Sequence, residues 1–92
     1  MQNTIGTISL FSFGCIDTNN LYVRVRITAN SVVYDWTFFL NRLEHLRQLS
    51  GVLEVLRLDR IDELNNTPII VYTDNNALRA LGSCDGMVYL TI

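Results

Sequence analysis

The sequence has no lysine; its seven cations are all arginines, Arg24, Arg26, Arg42, Arg47, Arg57, Arg60 and Arg79. So small a set is not the basic footprint of a protein that tracks a phosphate backbone, and nucleic acid is not the expected partner. Arginine alone suits planar pairing with carboxylates or stacking at an interface, although bias in a source genome gives the same inventory. Histidine occurs once, at His45, with no second histidine or cysteine at ligand spacing, so no metal centre is expected around it. Cysteine occurs twice, as Cys15 and Cys84 near opposite ends of the chain. A secreted chain of 92 residues would carry a denser disulfide framework, so a reduced, cytoplasmic protein is expected. Either thiol would become a nucleophile if a histidine approached it, but burial as a small hydrophobe is the ordinary fate of such a cysteine. No apolar run approaches the roughly 20 residues that span a bilayer. Met1-Gln2-Asn3-Thr4 supplies no basic segment ahead of a signal sequence. Glycine-rich phosphate loops, zinc motifs and nucleophile elbows are absent as well, and no cofactor is expected.

What is present is apolar. Hydrophobic residues make up 49% of the 92-residue chain, enough to fill the core of one small domain. Charged residues are only 17%, which leaves apolar surface for a partner interface. Residues 5–14 mix β-branched and aromatic residues with small polar ones and predict a first strand, followed by turn chemistry at Asp17-Thr18-Asn19-Asn20. Leu21, Val23, Val25 and Ile27 then alternate with Tyr22, Arg24, Arg26 and Thr28, the period of a strand with one buried and one wet face. The two segments predict a β-hairpin. Ala29-Asn30-Ser31 is a second tight turn, and Val32 to Trp36 a short third strand.

A helix is expected from a cap at Asp35 or Thr37, with Phe39, Leu43 and Leu46 packed on the apolar face of the hairpin and Gly51 as its stop. Residues 52–64 read equally well as a second helix or as a strand and turn. Leu53, Leu56 and Leu58 have the opening spacing of a leucine-rich repeat, but Ile61 replaces the expected asparagine and no second copy follows. Ile69-Ile70-Val71-Tyr72 predicts a strand covered on both faces. A short helical turn over 77–81 and a last strand, Met87 to Ile92, complete an α+β domain with a mostly antiparallel sheet.

Ile70-Val71-Tyr72-Thr73-Asp74-Asn75-Asn76-Ala77-Leu78 resembles the strand-to-helix junction of ribonuclease H domains, especially those of retrotransposons. The resemblance implies a metal-dependent nuclease in which Asp74 ligates Mg²⁺ and Glu44 lies on the helix of the first half of the fold. The chain departs from that family where the first strand should hold an aspartate, since Asp17 falls in the following turn, and the family's later elements have no room.

The stronger expectation is a non-enzymatic protein-interaction module. Tyr22, Arg24 and Arg26 share one face of the clearest strand, and an aromatic with two arginines suits an acidic partner. The ordinary alternative is a solvated outer face, as Glu54, Asp59, Asp62 and Glu63 with Arg57 and Arg60 also form. Small phage and mobile-element inhibitors of host systems, of the anti-CRISPR or anti-restriction type, are bland in this way. A homodimer or other homo-oligomeric structural protein is the third class.

Overall fold

The computed structural model describes residues 2–17, 19–85 and 89–91. Its strands are β1 (Gln2–Asp17), β2 (Asn20–Ala29), β3 (Val32–Phe39), β4 (Thr67–Asp74), β5 (Ala77–Gly82) and β6 (Tyr89–Thr91). One helix, α1 (Leu43–Val55), and a 3-10 turn, Ile61–Leu64, lie between β3 and β4. The strands form one antiparallel sheet in the order β3-β2-β1-β4-β5-β6, so the fold is α+β, with a helix packed on an antiparallel sheet.

β1 lies between β2 and β4, and different parts of its length pair with each. Its first half pairs with β4, from Gln2↔Thr73 to Ile8↔Thr67, and its second half pairs with β2, from Thr7↔Thr28 to Asp17↔Asn20. Gly6 lies where both neighbours close in. A Cβ there would stand 2.5 Å from the Thr28 carbonyl oxygen and 3.2 Å from a Val71 methyl, so only glycine fits without displacement.

β3 stands at one edge and β4 on the far side of β1, so the connection between them crosses one face of the sheet. That face becomes the core. Val23, Val25 and Ile27 of β2 meet Ile8, Phe38, Ile69, Val71 and Leu81 from the sheet, with Leu49, Val52 and Leu64 from the connection. No buried polar or charged residue occurs among the described residues.

Several expectations are corrected. β3 runs through the expected cap residues Asp35 and Thr37 to Phe39, so the helix starts later, at Leu43. It also passes through Gly51 and ends at Val55, which resolves the ambiguous stretch as the end of a helix and a separate 3-10 turn. The shift rotates its faces: Leu49, Val52 and Val55 are buried, whereas Leu43 and Leu46 are 59% and 41% exposed. Phe39 faces away from the core, opposite Tyr22. The expected helical turn over 77–81 is strand β5. Of the last expected strand, residues 87, 88 and 92 lie outside the described residues. Cys15 and Cys84 are exposed rather than buried, and neither is in a disulfide.

Candidate binding face

The face of the sheet opposite α1 carries the alternate residues of β1, β2 and β3. The two-residue turn Asn30-Ser31 has positive φ at both positions, as a type I′ hairpin requires, and fixes the register of β2 on β3. Tyr22 therefore stands opposite Phe39, Arg24 opposite Thr37 and Arg26 opposite Asp35. The structure brings the expected trio onto one face, and each member has a partner within the sheet.

Arg26 donates from Nε and Nη2 to the two carboxylate oxygens of Asp35, at 2.8 and 3.1 Å. This bidentate bond raises the pKa of Arg26 and lowers that of Asp35 from the ordinary 3.8, and Arg24 adds a smaller attraction. Both side chains remain about two-fifths exposed, at 39% and 43%, so solvent screens the pair. The Arg26 guanidinium also lies 3.8 Å from the centroid of the Phe11 ring.

Arg24 donates from Nε to the Thr37 hydroxyl at 3.0 Å and lies 5.5 Å from the Tyr22 ring centroid. No ion pair of Arg24 is found among the described residues. Tyr22 shares a 3.0 Å hydrogen bond with Ser12. The result is two cations held on aromatic rings by in-sheet hydrogen bonds, with one carboxylate, Asp35, paired to Arg26.

Sequence reasoning missed Phe11, Asp35 and Thr37. Either Asp35 or Thr37 reads as a helix cap in the sequence, although Asp35 also lies in the expected third strand. Phe11 is the extra residue of a β-bulge: Leu10 and Ser12 oppose the adjacent residues Val25 and Arg24. Phe11 lies on the face of Arg26 in step with Thr7 and Ser9, and the bulge shifts Ser12 onto that same face, opposite Arg24. No local signal marks such a bulge.

His45 is half-buried and does structural work: its Nδ1 accepts the Phe39 backbone N–H at 2.9 Å and ties α1 to the end of β3. Asp74 ends β4, and Asn75-Asn76, both at positive φ, form a type I′ turn into β5. The junction resembling ribonuclease H is thus strand-to-strand, not strand-to-helix. Asp17 accepts hydrogen bonds from the Asn19 backbone and the Asn20 amide, which lower its pKa and close the β1–β2 hairpin. No group of three or more His, Cys, Asp or Glu gathers at metal-binding distance among the described residues, and no helix there is long and apolar enough to cross a membrane.

Compared with protein-family models, curated proteins and solved structures, the chain matches none.

Proposed function

We propose that the chain is a non-catalytic binding module that engages an acidic, extended segment of a partner protein through the face of β2. The observation that carries the reading is the fixed pair of guanidinium groups on Phe11 and Tyr22. Rotamer entropy is a main cost of using arginine at an interface, and here the in-sheet bonds have already reduced it. Arg24 and Arg26 against the single Asp35 leave the patch cationic on a chain of net charge −2. An acidic segment would be drawn to that patch and repelled elsewhere.

The test uses an array of acidic extended peptides probed with the wild-type protein and with Arg24→Gln/Arg26→Gln. The double substitution removes both cations and keeps polar side chains of similar length. Wild-type binding should weaken with salt, and the variant should lose at least tenfold in affinity while melting within a few degrees of the wild type. Equal binding by both proteins would remove this face from the function. Preference for single-stranded oligonucleotides over every peptide would replace a protein partner with a nucleic acid stacked on Tyr22 and Phe11.

A further inference from the structure

The two ends of the sheet differ. Among the described residues β6 covers Tyr89–Thr91, whereas β3 offers eight residues, without a bulge in its pairing to β2. Proteins ordinarily guard an edge with lysine, proline, a bulge or an unpaired inward charge. The β3 sequence, Val-Val-Tyr-Asp-Trp-Thr-Phe-Phe, has none of these: its one charge, Asp35, is already neutralised by Arg26. Val33 is 53% exposed.

The direction of the free backbone groups follows from two hydrogen bonds. Leu40 N–H bonds the Leu21 carbonyl of β2, while Phe39 N–H points away and is taken by His45. Residues alternate along an antiparallel strand, so Val33, Asp35 and Thr37 turn both N–H and C=O to the open edge. His45 and the Arg42 N–H, which bonds the Phe39 carbonyl, close that edge at its C-terminal end.

We propose that this edge is a homodimer interface, in which β3 of a second copy pairs antiparallel with β3 about a two-fold axis at Trp36, joining the sheets into one. The sequence selects that register over its neighbours. Centring on Asp35 would set the two aspartates directly opposite, a destabilising like-charge pair. Centring on Tyr34 would set each Asp35 against the apolar Val33 of the other copy. Centring on Trp36 sets Asp35 against Thr37. Val33 then stands against Phe39, whose N–H and C=O are held by His45 and Arg42, so the two Asp35–Thr37 pairs carry the backbone hydrogen bonds of the interface.

The outer face then reads Arg24, Thr37, Asp35 of the second copy, Arg26 of the second copy. Thr37 accepts from Arg24, so its hydroxyl hydrogen is free to be donated to the facing carboxylate. Each Asp35–Thr37 pair exchanges both of its backbone hydrogen bonds. A two-fold, isologous pairing of this kind covers the β3 edge of each copy and stops at two. The β2 face proposed above for an acidic partner stays uncovered, so the two readings stand or fall separately.

The test is sedimentation of the full chain over a hundredfold dilution, beside Val33→Lys, which places an unpaired cation on the edge at an exposed position. The wild type should sediment as a dimer at high concentration, and Val33→Lys should weaken it at least tenfold while its thermal melt shows the chain still folded. A spin label at Ser31→Cys, with Cys15→Ser and Cys84→Ser, reads the register. The Trp36-centred dimer separates the Ser31 backbone positions by about 33 Å, against about 26 Å for Asp35 and about 20 Å for Tyr34. A monomer at 200 µM, an undiminished Val33→Lys dimer, or either shorter distance would overturn the proposal.

Discussion

Asp35 shows how one side chain carries both local and cross-strand information. Its pKa is lowered chiefly by the hydrogen bond from Arg26, so folding favours its ionised form. A carboxyl with a depressed folded pKa contributes stability that is present above its unfolded value and lost as pH falls through the folded one. Asp35→Asn should therefore melt below the wild type near neutral pH, and the gap should close below about pH 4 as the wild-type carboxyl takes up its proton. Asp17 titrates in the same direction in both proteins, so only the difference between their melting curves isolates Asp35. A gap that persisted unchanged into acid would mean that the pair is not what Asp35 contributes. This contact was within reach of the sequence. A two-residue turn at Asn30-Ser31 makes paired residue numbers sum to a constant, as Ala29↔Val32 and Arg26↔Asp35 show. The reading of Asp35 as a helix cap concealed it, although the expected third strand, Val32 to Trp36, already contained the residue.

The end of α1 explains why the helix was displaced in the sequence reading. Leu58 N–H bonds the Leu53 carbonyl and Arg57 N–H bonds the Glu54 carbonyl, the paired closure of a Schellman motif. Arg57 occupies the left-handed position with φ 57°, where glycine is the usual residue. Gly51, the residue that carried the stop signal, sits inside the helix. Burial of Leu49, Val52 and Val55 outweighs the roughly 1 kcal/mol that an interior glycine costs relative to alanine. Arg57→Gly should stabilise the fold by about 1 kcal/mol, because a non-glycine residue is strained by about that much in the left-handed region. The exposed 3.4 Å pair of Arg57 with Asp85 offsets little of this gain. Urea titration measures it, and a lowered midpoint would show that the Arg57 side chain contributes more than its backbone strain removes. The same ambiguity acted at Asp74-Asn75-Asn76, since these residue types serve a helix cap and a type I′ turn equally well. The strands are more legible because β2 alternates between wetter and buried positions from Tyr22 to Ala29, although Leu21, expected on the buried stripe, is 46% exposed.

Across the whole molecule, the path from β3 to β4 decides which apolar residues become core. The chain leaves one edge, crosses the face of β2 and β1, and re-enters the sheet beyond β1. Leu64 sits at the end of that crossing, fully buried in the 3-10 turn, which packs against β1. Just beyond it, the Asn66 N–H bonds the Ser9 hydroxyl at 2.9 Å and ties the returning chain to the central strand. Leu43, at the start of the crossing, is 59% exposed. Periodicity alone ranks these two leucines the other way, because Leu43 belongs to a clear helical stripe and Leu64 to an ambiguous segment. Burial reverses the ranking, and substitution should follow burial. Leu64→Ala should cost about 2–5 kcal/mol, the loss of a packed side chain plus the cavity it leaves. Leu43→Ala should stay within about 0.5 kcal/mol, as exposed substitutions do. A domain of 92 residues has little stability to lose, so Leu64→Ala should be largely unfolded at 37 °C while Leu43→Ala melts like the wild type. Chemical denaturation of the two variants side by side decides it. Equal midpoints would mean that the crossing does not lie over the sheet as described, and a larger loss at Leu43 would restore the helix register that the periodicity implied.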